Sequence, residues 1–196
     1  MTRTGRRPGP TNTRASILAT AAGCFAADGY DATSMRHVAA AAGVDPALVR
    51  RFFGSKDQLF TEVAAALIVP GQALAAVASG APEAAGERLV RYFLSLLGDV
   101  SQPGPLLGLI KSAVASEHAA GLLRRLLAEQ VLGELAASLG PGTAGIGAAL
   151  AASQLVGLAI ARYAVRLDAL AAAGTDDLVR WVGPVVQSYL TGSHVS

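Results

Sequence analysis

The chain has few charged residues, few aromatic residues and a single cysteine. Only 15% of its 196 residues are charged and 5% are aromatic. The lone Cys24 excludes a disulfide scaffold. Runs of β-branched and aromatic residues are nearly absent, which argues against a β fold. Intrinsic disorder is excluded too, because 52% of the residues are hydrophobic and supply ample apolar surface to bury.

Alanine accounts for 41 residues, about a fifth of the chain. It favours helix more than any other residue, and the apolar positions recur at helical spacing along most of the sequence. The sequence therefore predicts an all-α fold.

Two uncharged stretches, 63–82 and 135–161, are long enough to raise the possibility of membrane spans. Pro70-Gly71 interrupts the first and Gly140-Pro141 the second. The N-terminal arginines are not followed by an apolar segment, which argues against a signal peptide. We therefore expect a cytoplasmic protein with no membrane partner.

The net charge of +2 hides two parts of opposite sign. Residues 1–56 contain eight basic and three acidic residues, whereas residues 57–196 contain eight basic and eleven acidic ones. A basic end on a mildly acidic body is typical of a small nucleic-acid-binding domain attached to a larger one.

Glycine, proline and capping residues divide the N-terminal part into short helices. A basic arm (1–10) precedes a helix from Thr11 that Gly29 ends, and Thr33 is expected to cap a second helix. Asp45-Pro46 predicts the start of a third helix that ends at Gly54, and Ser55 with Gln58 predicts a capping box for a fourth. Further helices are predicted over roughly 70–79, 83–98, 105–116, 118–139, 143–168 and 175–191.

The second and third helices, joined by a turn at Gly43-Val44-Asp45, form a helix-turn-helix pattern. Gly43 can take the positive φ that the turn needs, and the third helix is expected to enter the major groove. Its outward arginines can contact phosphates or guanine edges, and backbone amides near Thr33 and Ser55 can bind phosphates. The predicted DNA-contacting residues are Arg3, Arg6, Arg7, Arg14, Thr33, Ser34, Pro46, Ala47, Arg50, Arg51 and Lys56.

Residues 11–68 resemble the N-terminal domain of the TetR family of bacterial transcriptional regulators. The resemblance lies in ILATAAGCFAADGYDATSM followed by RHVAAAAGVDPALVRRFFGSKDQLF. The chain departs from the pattern at Asp45, where Ser is common, at Arg50, where an aromatic residue is usual, and at Arg51-Phe52, where His and Tyr are frequent. These departures leave the operator sequence unpredictable.

The resemblance implies a DNA-binding domain over residues 11–56 and a helical ligand-binding and dimerisation domain over residues 57–196. It also implies a homodimer on a near-palindromic operator, held by an intermolecular four-helix bundle. Two faces suit dimerisation physically, because one is a ridge of small residues and the other an apolar helix face. The alternative is that both faces pack within one chain. These faces comprise Gly145, Ala149, Ser153, Gly157, Ala161, Leu178, Val182, Val185 and Tyr189.

An effector pocket is expected between the central helices, at about residues 60–165, for a hydrophobic or amphipathic small molecule. Its candidate lining residues are Tyr92, Phe93, Lys111, His118, Gln154, Arg162 and Tyr163. The three histidines have no partner at metal-ligand spacing, and no phosphate-binding or nucleophile motif is present. We therefore predict a ligand-responsive regulator, usually a repressor, without metal, cofactor or catalysis. The alternative is a helical small-molecule-binding protein or enzyme that does not bind DNA.

Overall fold

A computed structural model describes residues 10–132 and 144–192, which form eleven α-helices and confirm the predicted all-α class. The first four are α1 (Pro10–Ala32), α2 (Met35–Ala41), α3 (Pro46–Phe53) and α4 (Lys56–Ile68). The remaining helices are α5 (Pro70–Ala78), α6 (Ala85–Leu97), α7 (Pro105–Ala115), α8 (Glu117–Leu127), α9 (Ala144–Ala159), α10 (Asp168–Ala172) and α11 (Thr175–Thr191). Arg3, Arg6 and Arg7 of the predicted arm lie outside the described residues.

Side-chain caps fix where α3 and α4 begin. Asp45 Oδ1 accepts a hydrogen bond from Ala47 N at 2.7 Å, and Pro46 occupies the first turn of α3. Ser55 Oγ accepts from Gln58 N at 3.1 Å, while Gln58 Oε1 accepts from Ser55 N at 3.3 Å, which is the predicted capping box. Gly43 has the expected positive φ, 64°.

The cap of α2 corrects one prediction, because Ser34 and not Thr33 caps this helix. Ser34 Oγ accepts from His37 N at 3.1 Å. Thr33 is buried, and its hydroxyl lies within hydrogen-bond distance of the Gly29 and Cys24 carbonyl oxygens. Both residue types cap helices well, so the local sequence did not decide between them.

The N-terminal core joins α1–α4 to α7 and α8. Phe25, Tyr30 and Phe60 form an aromatic cluster, and Phe60 meets each of the other two rings nearly edge-on. Leu109 of α7 and Leu122 of α8 are buried in the same core. The packing around the helix-turn-helix therefore continues across residue 56 into later helices.

The C-terminal core is built mainly around α6, which packs against α11 and α5. The α6–α11 crossing is close, since a Cβ at position 86 would lie 2.4 Å from the Gly183 carbonyl oxygen. The predicted helix 143–168 is shorter than expected, because helical structure ends at Ala164. The predicted helix 118–139 is seen as far as Leu132, and its remaining residues lie outside the described ones. A π-helical turn, Ala128–Leu132, follows α8, and another, Ile160–Ala164, follows α9.

Two stretches, Lys56–Ala78 and Gly145–Ala164, are long and apolar enough to cross a membrane by length and composition alone. The first consists of two helices, α4 and α5, which meet at Val69 in a left-handed conformation (φ 43°). Phe60 and Leu155, one from each stretch, are buried in the two cores. Both stretches therefore serve as packing helices of this fold.

Candidate nucleic-acid interface and ligand cavity

Helix α3 is anchored by one face and exposed on the other. Val49 and Phe53 are buried in the N-terminal core. The predicted outward residues Pro46, Ala47, Arg50 and Arg51 are all exposed. An eight-residue helix with two exposed arginines has the size and charge to enter a major groove.

The Arg51 guanidinium packs on the ring of the adjacent Phe52. Its guanidinium carbon lies 5.6 Å from the centre of the half-buried Phe52 ring, which is within cation–π range. The basic pair lies in the last turn of α3, where positive charge is favourable for the helix dipole. Arg50 and Arg51 thus combine a rigid backbone with exposed cationic groups.

Ser34, Lys56 and Ser55 lie at the starts of the flanking helices α2 and α4. Both serines are exposed. The Lys56 ammonium lies 4.1 Å from the centre of the Tyr30 ring and 3.4 Å from the Asp31 carbonyl oxygen. Lys56 is therefore held in place at the start of α4.

Two predicted DNA contacts, Arg14 and Thr33, are engaged within the chain. Arg14 forms an ion pair with Glu62, and its guanidinium carbon lies 4.9 Å from the centre of the Phe53 ring. Thr33 is only 1% exposed. These side chains hold the helix-turn-helix to its core. The Thr33 side chain is therefore not available to DNA, whereas Arg14, whose side chain is 43% exposed, stays a predicted contact.

A polar network joins the end of α1 to the starts of α4 and α8. The Tyr30 hydroxyl donates to Asp57, and His118 Nε2 lies 2.8 Å from Asp57 Oδ2. The hydrogen bond from Tyr30, with lesser contributions from His118 and Lys56, lowers the pKa of Asp57. Burial, reinforced by Asp57, raises the pKa of Tyr30.

His118 therefore belongs to this network and not to the effector cavity, contrary to the prediction. No local pattern in the sequence indicates the pairing, because Asp57 and His118 are separated by 61 positions.

Ser112 and Ser116 connect the end of α1 to α7 and to the start of α8. Tyr30 N donates to Ser112 Oγ at 3.1 Å, and Ser116 Oγ donates to Asp31 Oδ1 at 3.2 Å.

A cavity of about 420 Å³ lies between the end of α4 and helices α5 to α9. Its walls are almost entirely aliphatic and aromatic, and Tyr92 and Phe93 of α6 line it as predicted. Tyr92 directs its hydroxyl to the carbonyl oxygens of Ile68 and Val69 at the end of α4. The volume falls within the range of about 300–1,000 Å³ that is typical of small-molecule sites.

The other predicted lining residues lie elsewhere, which corrects the sequence-based assignment. Lys111 is exposed on α7, and Gln154 lies on α9 beside the lining residues and is not one of them. Tyr163 donates to the Gly98 carbonyl oxygen at 2.9 Å. Arg162 is buried and is not among the lining residues, and its Nε and Nη1 have no hydrogen-bond partner among the described residues. Spacing alone did not show which helix face borders the cavity.

Arg124 of α8, which the sequence pattern did not single out, is the one charged residue among the described residues that line this cavity. Its side chain is largely exposed. The amphipathic pattern of α8, with Leu122, Leu123 and Leu126 buried, could have indicated that Arg124 lies at an edge of the core.

The predicted ridge of small residues on α9 is left uncovered by the part of the chain that the structure describes. Gly145, Ala149, Ser153 and Gly157 are exposed or partly exposed, and Ala161 is partly buried. Gly147, on another side of α9, faces α11 of the same chain, since a Cβ there would lie 2.1 Å from the Tyr189 carbonyl oxygen.

The predicted dimerisation face of α11 is accessible only in part. Val182, Val185 and Tyr189 are partly buried. Leu178 is 4% exposed and packs in the chain's own core, so it is not available to a partner. Trp181, which the prediction omitted, is 75% exposed.

The described residues contain no arrangement of three or more His, Cys, Asp or Glu side chains that could hold a metal ion. Cys24 is buried, and burial raises the pKa of its thiol. A raised pKa disfavours the reactive thiolate form, in agreement with a core position.

Comparisons with known proteins match both parts of the chain. The family model described as "Bacterial regulatory proteins, tetR family" matches residues 17–63, and "Tetracyclin repressor-like, C-terminal domain" matches residues 83–190. A comparison with curated protein sequences finds no match.

Several solved structures are similar to this chain over nearly its whole length. A TetR-family regulator from Streptomyces coelicolor A3 is 40% identical, covers 96% of this chain and 99% of its own, and has a TM-score of 0.68. Salmonella enterica GusR is 19% identical over 96% of this chain and 98% of its own, with a TM-score of 0.65. A TetR-like transcriptional regulator from Rhodococcus sp. RHA1 is 19% identical over 96% of both chains, with a TM-score of 0.58. The last two share the fold.

The C-terminal family model spans more than half of the chain, and the identity to the Streptomyces protein extends over nearly all of both chains. These findings confirm the resemblance seen in the helix-turn-helix. The chain therefore belongs to the TetR family of bacterial regulatory proteins, which are DNA-binding transcription regulators and not enzymes.

Proposed function

We propose that this chain is a cytoplasmic, homodimeric repressor that binds a near-palindromic operator and is released by a small hydrophobic or amphipathic effector. The observation that carries the proposal is the exposed face of α3, with Arg50 and Arg51 exposed on a helix anchored by Val49 and Phe53. Residues 11–56 would read the DNA, and residues 57–196 would dimerise and bind the effector.

Operator contacts would come from α3 and the helix starts beside it. Arg50 and Arg51 can contact guanine edges or phosphates, and Pro46 and Ala47 can approach bases closely. Ser34 and Lys56 can contact phosphates on either side, which would fix the register of α3 on the duplex. Arg3, Arg6 and Arg7 would add contacts from the basic arm.

Dimerisation would use the free faces of α9 and α11. The ridge of Gly145, Ala149, Ser153 and Gly157 permits close helix approach. Exposed Trp181 and Ile146 add large apolar groups that a partner could cover. A second copy of the chain would form an isologous four-helix interface with these faces.

Effector response would pass through α4, which contributes to both cores of the molecule. Phe60 packs with α1, whereas Ile68 at the other end borders the cavity and is held by the Tyr92 hydroxyl. A ligand that displaces the end of α4 would therefore change the position of the DNA-binding helices. Affinity for the operator would fall by the coupling free energy between the two sites.

Selection of bound sequences from a random DNA pool by the purified, ligand-free protein tests this proposal. We expect a near-palindrome whose half-sites are about one helical turn, ~10 base pairs, apart or a small multiple of that. A pool selected in parallel with an Arg50→Ala, Arg51→Ala protein serves as the control. Recovery of unrelated sequences by the native protein, or of the same palindrome by the double variant, would contradict the proposal.

A further inference from the structure

We propose that the effector is an amphipathic carboxylate, whose apolar body fills the cavity between α4 and α9 and whose carboxylate pairs with Arg124. This inference rests on the proposed function and specifies the ligand class of its effector site. It follows from three features of the cavity: its apolar walls, the engaged hydroxyl of Tyr92 and the one cation among the described residues at its edge.

The walls offer almost no polar groups to a ligand. The lining includes Leu89, Phe93 and Leu96 of α6, Leu109 of α7 and Leu155 of α9. An apolar ligand body would remove this surface from water, which is favourable in proportion to the area buried. A polar group placed deep among these side chains would lose its hydration without a replacement partner.

Tyr92 does not change this conclusion, although it carries a hydroxyl group. That group lies within hydrogen-bond distance of the Ile68 and Val69 carbonyl oxygens, so its single proton is already donated. The residue therefore presents its ring to the cavity and leaves its donor at the end of α4.

Arg124 is the group on the lining that still has donors to offer. Within residues 10–132 and 144–192, no ion pair or side-chain hydrogen bond of its guanidinium is found. The same holds for Arg36 and Arg125, but neither of them lines the cavity. Arg124 is largely exposed, which puts its charge at the solvent-facing edge of the cavity. A carboxylate can accept two parallel hydrogen bonds from a guanidinium.

The position of the charge discriminates between ligand classes. An apolar molecule with a terminal carboxylate can bury its body and keep its charged end at Arg124, in contact with water. An amine of the same shape would place like charges together. A neutral alcohol would gain only a weaker hydrogen bond.

Isothermal titration calorimetry at neutral pH, with no DNA present, tests the inference. The ligands are octanoate, decanoate and dodecanoate, each compared with the alcohol and the amine of the same chain length. We expect a carboxylate to bind most tightly. Arg124→Gln should weaken that binding by about two- to fivefold, as expected for an ion pair open to solvent, and weaken alcohol binding less.

Arg125→Gln is the matched control, because Arg125 is the next residue of α8 but borders a different groove, beside Phe53 and Gln58. It should leave carboxylate binding unchanged, and Arg124→Lys should retain most of it. The inference is overturned if no carboxylate binds, if alcohols or amines bind as tightly, or if the two Gln variants lose affinity equally. Each of these results leaves operator selection by the ligand-free protein unaffected, so failure of the inference is distinguishable from failure of the proposed function.

Discussion

At the scale of single residues, Asp57 connects three helices that are distant in sequence. It accepts a hydrogen bond from Tyr30 at the end of α1 and pairs with His118 at the start of α8. It also lies in the first turn of α4, where a negative charge is favoured by the helix dipole. All of these interactions stabilise the ionised carboxylate.

This environment predicts a pH dependence of stability. The pKa of Asp57 is lowered from its ordinary 3.8, chiefly by the Tyr30 hydroxyl. Ionised Asp57 therefore stabilises the fold at pH values above that ordinary pKa, and the stabilisation is lost as the pH falls through the lower, folded-state pKa. Asp57→Asn should reduce the unfolding temperature at neutral pH and make its further decrease on acidification smaller.

Thermal unfolding followed by circular dichroism between neutral pH and about pH 3 measures this effect, in a range that includes the ordinary Asp pKa. Glu129→Gln is the control, because Glu129 is exposed and lies in the π-helical turn after α8. If the unfolding temperatures of the Asp57→Asn and Glu129→Gln proteins fall with pH in parallel with that of the native protein, Asp57 does not have this role.

Residue roles that depend on distant partners were the least predictable from sequence. Arg14 and Arg51 both belong to a basic N-terminal part, yet Arg14 pairs with Glu62, which is 48 positions away. Arg51 and Phe52, by contrast, are adjacent in sequence. The exposure of Arg50 and Arg51 could be predicted because the helical periodicity of α3 places Val49 and Phe53 on the opposite face.

At the scale of helices, close crossings depend on glycine. Helix α7 crosses α1 at Gly108, where a Cβ would lie 2.2 Å from the Ala26 Cα atom. The contact is with backbone, so a side chain there cannot be accommodated by a rotamer change. The α1–α7 crossing connects the DNA-binding helices to the body of the molecule. A side chain at position 108 would therefore disturb this connection.

Gly108→Ala should destabilise the protein by about 1–3 kcal/mol, because the added methyl group forces the two helices apart. Gly121→Ala is the matched control. Gly121 also lies inside a helix, α8, but a Cβ there would meet no atom of a neighbouring element within 4 Å. This control should stabilise by about 0.5–1 kcal/mol, since alanine favours helix more than glycine does.

Urea unfolding gives the free energy of unfolding of both variants and of the native protein. Equal stability of the Gly108→Ala and Gly121→Ala proteins would contradict the close α1–α7 crossing.

Helix boundaries set by local chemistry were predictable, and those set by packing were not. Asp45-Pro46 and Ser55 with Gln58 supply their own caps within four residues, so α3 and α4 begin where the sequence indicates. The ends of α8 and α9 pass into π-helical turns without glycine or proline at the transition. Such turns depend on what the helix meets in the folded chain and leave no local signature.

At the scale of the whole molecule, two cores share helices, and a free apolar surface remains. Leu109 packs with the N-terminal helices, while Leu106 and Leu107 of the same helix pack in the C-terminal core. The exposed surface of α9 and α11, including Trp181, takes no part in either core. The sequence indicated the α9 part of this surface from the spacing of small residues and the α11 part from apolar positions. It also placed the buried Leu178 there and omitted Trp181.

If this surface holds the dimer together, Ala149→Glu should produce a monomer, because it places a charge in the middle of the small-residue ridge. Ala75→Glu, on the exposed side of α5, should leave the dimer intact. Size-exclusion chromatography with light scattering gives the mass of each. A dimeric Ala149→Glu protein, or a monomeric native protein, would contradict the proposed interface.

The proposed function depends above all on the exposed arginines of α3 reading the operator. Fluorescence anisotropy with the selected sequence and an unrelated duplex of equal length measures their contribution. We predict that the native protein prefers the selected sequence by roughly 10³-fold or more. The Arg50→Ala, Arg51→Ala protein should lose that preference and remain dimeric, whereas Arg91→Ala, Arg180→Ala, which removes the same charge from α6 and α11, should retain it. Unchanged affinity of the Arg50→Ala, Arg51→Ala protein for the selected sequence would contradict a reading role for α3.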